Sequence, residues 1–335
     1  MRTVSSAASS VASGDAPEQV FYDALLRDSK FKAVEAPHFL PHAQVADTHA
    51  HLDMLHFPGL ALARAAANKV SFIVSVIDPT EDPSYALGEL SKWQQEAKEL
   101  LAEWARKDKG DVASTLPASP TLPALQAPPT PPTLTPPEIS IIMGCHPHNA
   151  SAYTNLVEEQ LLSALANDTR VVGIGEIGLD YHYDNSPRKV QQEVFRRQIQ
   201  LAHQHSCTIA LHLREAYADG IKILQEEGVP AKGVLLHCFN LDYATLEPFL
   251  ELGCMVAFGG PLTFKKANEV REAAQKTPLS RLVTETDCPF MAPGPVRGSV
   301  CEPASVVFTA KMLAELREEP DALEQFYANA KGFFS

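Results

Sequence analysis

The clearest chemistry in this 335-residue chain begins with Asp47-Thr48-His49-Ala50-His51, at the end of an apolar run. If that run is a strand, its period of two puts His49 and His51 on one face with Asp47 beside them and turns Thr48 and Ala50 toward the helices. Two imidazoles so placed can share one cation. Glu176, in the apolar and glycine-rich stretch GIGEIGLDY, is a carboxylate that is costly to bury bare, so it too calls for a cation. His212 in IALHLRE, His237 in GVLLHCFN and Asp287 in VTETDCP each end an apolar run with a polar side chain. Any one of them has an ordinary reading as a structural hydrogen-bonding residue. Six such groups on five strand ends together predict a metal centre.

Charge arithmetic points to two ions. Four neutral imidazoles and two carboxylates carry −2 and two divalent cations +4, which leaves a small positive pocket suited to phosphate. Glu176 is the natural bridge between ions about 3.5–4 Å apart, a spacing at which a shared water becomes a hydroxide nucleophile. His49, His51 and Asp287 are assigned to one ion, and His212 and His237 to the other. Asp287 is also placed to orient the hydroxide and take up its proton. His146, in GCHPH, is expected to donate to a phosphoryl oxygen or protonate a leaving group. Arg214 shares the face of His212 and is expected to clamp a phosphate, with pairing to Glu215 as its ordinary alternative. Arg297, in the loop GPVRGSVCEP, is expected to bind phosphate, with Glu302 as its ion-pair partner. Asp180, Tyr181 and Glu285 are read as outer groups that orient the ligands or pack.

These residues need a scaffold that gathers strand ends. Eight apolar, β-branched runs cover 45–53, 71–78, 139–148, 171–180, 207–215, 233–240, 254–260 and 281–289. Stretches of helical periodicity fill 84–106, 155–166, 216–227, 243–252 and 265–276, and a further helix is expected to start at Ser186-Pro187. Strands apolar on both faces, each followed by a helix, predict an α/β fold, a (β/α)8 TIM barrel whose active site forms at the carboxyl ends of the strands. One domain over 41–335 accounts for it.

Two segments lie outside that pattern. Residues 1–20, rich in Ser and Ala, read as a disordered tail, with a weak resemblance to a mitochondrial presequence. Residues 111–137 hold nine prolines and read as an insertion on the rim away from the catalytic mouth, with P-x-x-P spacings that a protein partner could bind. The balance of 28 Lys+Arg against 41 Asp+Glu excludes a broad basic nucleic-acid surface, so any polyanion must be held locally. Six scattered cysteines without a C-x-x-C pair predict reduced thiols. The absence of an apolar stretch long enough to span a bilayer predicts a protein of the cytoplasm or nucleus with no membrane partner.

Taken together, these stretches resemble the TatD family of metal-dependent hydrolases, within the amidohydrolase-type TIM barrels. DTHAHLD is similar to the family's D-T-H-x-H-L-D, GCHPH to G-x-H-P-H, and GEIGLDY to G-E-x-G-L-D-Y. Gln191 with the helix that follows matches Q-x-x-x-F-x-x-Q-x-x-L-A, LHLR stands at the H-x-R position, HCF at H-C-F and ETDCPFMAP at E-T-D-x-P-x-L-x-P. The resemblance covers roughly 45–335 and implies a two-metal centre on His49, His51, Glu176, His212, His237 and Asp287, filled with Mg²⁺, Mn²⁺ or Zn²⁺. It implies hydrolysis of phosphodiester bonds, as a 3′–5′ deoxyribonuclease acting on nucleic-acid ends. RNA and tRNA are alternative substrates, the last through a D-aminoacyl-tRNA deacylase activity on the same centre. A non-enzymatic alternative keeps the barrel as an interaction scaffold. Three departures fall on substrate-side loops: Asn240-Leu241 replaces Ser/Thr-Gly, Gly259-Gly260 replaces Ser-Gly, and the loop at Arg297 lacks a second arginine and an asparagine. With the insert, they resemble a fungal branch described as binding partners of cell-cycle proteins.

Overall fold

The computed structural model describes residues 26–27, 33–40, 42–111 and 134–335; the tail over 1–20 and nearly all of the Pro-rich insertion fall outside the described residues. Eight parallel strands form one sheet in sequence order: β1 (Val45–Ala50), β2 (Val70–Ile77), β3 (Glu138–Met143), β4 (Val171–Asp180), β5 (Thr208–Arg214), β6 (Val234–Leu236), β7 (Met255–Phe258) and β8 (Leu282–Thr284). Each of the eight apolar runs supplies one strand. The sheet curls until β8 meets β1. There Thr48 Oγ1 donates to the Thr284 carbonyl (3.1 Å), Thr284 Oγ1 donates to the Ala46 carbonyl (2.8 Å), and Asp287 N donates to His49 O (2.9 Å). Hydroxyls thus stand in for part of the ladder that closes the (β/α)8 barrel.

Helices α1 (Pro58–Ala67), α2 (Pro83–Asp111), α3 (Asn155–Asn167), α4 (Arg188–His205), α5 (Tyr217–Glu227), α6 (Tyr243–Glu251) and α7 (Asn268–Lys276) fill the crossovers, followed by α8 (Val306–Arg317) and α9 (Ala322–Phe333). Local chemistry sets their starts. Thr154 caps α3 by accepting from Val157 N, Asp242 caps α6 by accepting from Thr245 N, and Pro58 opens α1. The fourth helix starts at Arg188. Ser186, expected to begin it, instead donates its hydroxyl to His148 O (2.8 Å) and ties the loop after β3 in place.

The lumen is filled from below by Ala46, Phe72, Val74, Val76, Ile142, Ala210, Leu235, Met255, Ala257 and Val283, with Ala330 and Phe334 from the α9 end sealing the amino-terminal mouth. The alternation Phe72-Val74-Val76 is the period of two at work. A larger apolar layer separates strands from helices. Apolar packing therefore occupies the bottom of the barrel, and polar side chains are left to the carboxyl end.

Candidate metal centre

The centre is organised around Glu176, which is buried on β4. Its Oε1 lies 2.5 Å from His212 Nδ1, 3.1 Å from His237 Nε2 and 3.6 Å from His146 Nε2. Its Oε2 lies 3.3 Å from His49 Nε2 and 3.7 Å from His51 Nε2. Asp287 Oδ1 completes the ring, 3.6 Å from His51 Nε2 and 3.9 Å from His49 Nε2. All six residues expected to share the centre thus meet at one barrel mouth, joined by His146.

Two irregularities aim the central side chains. Between Asp47 and Ala50, β1 advances three residues while β2 advances two; between Ile174 and Ile177, β4 does the same against β5. An extra residue resets the phase of a strand. The ligand-bearing residues His49 and Glu176 sit in these two bulges. The bulge also removes Asp47 from the ligands: its carboxylate accepts from Thr286 N (2.8 Å), Thr286 Oγ1 (2.6 Å) and His49 N (3.3 Å), so it holds the backbone at the seam. Burial, opposed by those donors, pushes the Asp47 carboxyl up to about 8. Gly178 is required where β4 passes β5, because a Cβ there would meet His212 O at 2.0 Å. At 259 the nearest atoms to a Cβ are at 3.5 Å, whereas at 260 a Cβ would meet Met291 O at 1.8 Å; only the first of the two glycines has room for a side chain.

The outer layer fixes which nitrogen carries a proton. His212 Nε2 faces Asp180 Oδ2 at 3.1 Å and His237 Nδ1 faces Glu285 Oε2 at 3.3 Å, so each ring donates outward and turns its other nitrogen toward Glu176. Asp180 also receives His148 Nε2 (2.8 Å) and the amides of His182 and Tyr183; Glu285 receives the Cys238 amide (2.6 Å). Tyr181 lies further out, donating to Asp219 (2.7 Å). His146 differs. Its Nδ1 accepts the His148 amide (3.2 Å), which leaves the ring proton on Nε2, pointed at Glu176 as a donor. Two glutamines on α4 hold the strand ends: Gln191 pairs with the backbone of Asp180 and Gln198 with that of Cys145.

Burial works against the charge on Glu176, but the imidazoles of His237, His146, His212 and His49 overcome it and hold the carboxyl well below its usual range. Burial likewise opposes protonation of His237 and His212, yet their carboxylate neighbours raise both; His49 and His146, with weaker support, are lowered by burial. His49 is fully buried, stacked on His237 at 3.7 Å, and neither of its ring nitrogens has a hydrogen-bond partner. An orphaned, desolvated imidazole among carboxylates suits a cation. Three trios have ligand atoms within 4.8 Å of one another: His49, His51 and Glu176; His146, Glu176 and His212; and His49, His237 and Asp287. Glu176 belongs to two of them. His237 groups here with His49 and Asp287, whereas the sequence reading placed it with His212.

A cavity of about 610 Å³ opens above these residues, lined on its outer side by Arg214, Tyr183, Phe290 and Met54 and by the carboxylates of Asp53, Asp78 and Glu81. The Arg214 guanidinium lies 4.7 Å over the Tyr183 ring, while Glu215, its alternative partner, pairs with His182. Arg297 stands outside this cavity, 4.2 Å over Phe264, and Glu302 pairs with Arg64 instead of with Arg297. Glu302 reaches an arginine 238 positions away in the chain, a partner that no local pattern discloses. Sequence reasoning passed over Asp78, whose carboxylate accepts from His146 N (3.0 Å) and Asn149 Nδ2 (2.9 Å). It ends the apolar run SFIVSVID, the same signal that marked the other strand-end residues.

Residues 46–335 match the family model described as TatD related DNase. The metal-dependent hydrolase YcfH of Escherichia coli K12 is 32% identical over 279 residues, which is 82% of this chain and 88% of that protein. The human 3′-5′ RNA nuclease TATDN2 is 37% identical over 186 residues, 54% of this chain but 24% of that protein. Among solved structures, the TatD homologue YJJV of E. coli K12 superposes with a TM-score of 0.68 at 25% identity, over 87% of this chain and 97% of that one. All six cysteines are free, and no helix among the described residues is long and apolar enough to cross a membrane. The chain belongs to the TatD-related family of metal-dependent hydrolases.

Proposed function

We propose that this protein is a two-metal nuclease that hydrolyses phosphodiester bonds at the 3′ end of single-stranded DNA. The observation that carries the reading is Glu176, a buried carboxylate with five imidazoles around it, whose Oε1 faces His212 and His237 and whose Oε2 faces His49 and His51. His49, His51, Glu176, His212, His237 and Asp287 would hold the ions, with Glu176 shared. Divalent ions there supply electrophilic charge for phosphoryl oxygens and make water acidic enough to ionise near neutral pH. Asp287 keeps its carboxyl low, despite burial, through His51, His237 and His49, so it is a ready acceptor for the proton of the attacking water. His146 donates from Nε2 to a phosphoryl or leaving oxygen. Arg214, stacked on Tyr183 and without a carboxylate partner among the described residues, binds a phosphate at the mouth. RNA is the second reading, favoured by the similarity to a human 3′-5′ RNA nuclease.

The test offers labelled single-stranded DNA, single-stranded RNA and a D-aminoacyl-tRNA to the full chain with Mg²⁺, Mn²⁺ or Zn²⁺, beside Glu176→Ala and Asp287→Asn. Wild type is expected to shorten DNA from its 3′ end. Glu176→Ala should fall to background and Asp287→Asn lose at least about 10²-fold in kcat. A wild-type rate in Glu176→Ala would overturn the assignment; turnover of the aminoacyl ester alone would replace it with a deacylase.

A further inference from the structure

A second groove, of about 900 Å³, runs beside the metal-centre cavity, between the segment leading into α7 and the loop after β8. Met291 lines both, so the two spaces adjoin at that residue. Phe264, Lys265, Lys266 and Arg297 line it, with Arg297 stacked on the Phe264 ring at 4.2 Å. Lys265, Lys266 and Arg297 are exposed, and none has a carboxylate partner among the described residues. Arg64, Arg170, Arg197 and Lys331, by contrast, are each tied to an acid. Glu269 is the one acid in the lining.

Resting on the nuclease reading, we propose that this groove carries the single-stranded polynucleotide leading away from the scissile phosphodiester, with Lys265, Lys266 and Arg297 contacting its successive phosphates. The physics is that of single-strand tracks: cations along the backbone, a stacked flat group beside them, and little dependence on base identity. Each phosphate so neutralised releases counterions, and for single strands the slope of log affinity against log salt is about −0.7 per contact. The net negative charge of the molecule is no obstacle, because three unpaired cations set the local potential.

The test uses the full chain with Mn²⁺ on two substrates, a single strand of about 12 nucleotides and bis(4-nitrophenyl) phosphate, a diester too small to reach the groove. In Lys265→Gln/Lys266→Gln, KM for the strand should rise about tenfold, and its salt slope should become shallower by about 1.4, with the small diester unaffected. Glu269→Gln should lower KM for the strand. Equal loss on both substrates, or no loss on either in an active wild type, overturns the groove. Wild type turning over neither substrate would instead overturn the nuclease reading beneath it.

Discussion

Two imidazoles of the centre, His212 and His237, each lean on a carboxylate of their own, Asp180 and Glu285. Such a pair fixes the tautomer, orients the ring and raises the basicity of the nitrogen that faces the ion. Asp180→Asn removes that anion from behind His212 while keeping the shape of the side chain. Metal affinity, measured calorimetrically on protein stripped of ions, is expected to fall about 10–100-fold; an unchanged affinity would show that His212 does not ligate through Nδ1. At this scale His49, His51, Glu176, His212, His237 and Asp287 were legible because several polar residues ending apolar runs together need a shared reason, although Asp78 carries the same signal and was passed over. Roles set by local turns were not legible. The donor role of His146 depends on an amide two residues on, and the partner of Arg297 proved to be an aromatic ring rather than Glu302.

Elements were legible where their faces differ. The strands stood out because both faces are apolar, and α4 because Phe195, Ile199 and Ala202 recur on one side. Helix α1 gave no such signal: eight of its ten residues are buried, so almost no polar face is left to set a period. The two bulges were equally hidden, since one extra residue leaves no mark in composition. Ion pairs tie the helix ring. Arg197 on α4 forks to Glu158 on α3, whose second partner is Tyr153 (3.1 Å), and Arg196 reaches Glu226 and Glu227 on α5. Arg197 holds the Glu158 carboxyl below its ordinary 4.5, with burial opposing. A depressed carboxyl stabilises the fold above its unfolded pKa and stops doing so as pH falls through its folded one. Glu158→Gln is therefore expected to cost about 0.5–1 kcal/mol at pH 7 and nothing in strong acid, read as a denaturant midpoint that converges with wild type below pH 4.5. A pH-independent difference would assign the effect to packing.

For the molecule as a whole, the division of the barrel into an apolar lower half and a polar mouth decides how metal and stability are related. The lumen is packed by its own strands and sealed by Ala330 and Phe334, so the core is complete without ions. Chelation should leave the barrel folded, unlike small domains whose only core is a metal. Ions that bind the folded mouth and not the unfolded chain must still add stability by mass action, about 2.7 kcal/mol per site at a hundredfold excess over Kd. A domain of this size gains about 2–4 °C per kcal/mol, so loading one site should raise Tm by about 5–10 °C in a calorimetric scan against EDTA. Glu176→Ala, which removes the carboxylate common to two trios, should lose most of that rise while its metal-free form stays folded. Two results would break the argument at different points. Unfolding on chelation would mean that the ions hold the barrel together, and a full Tm rise in Glu176→Ala would mean that they bind somewhere other than the ring of imidazoles.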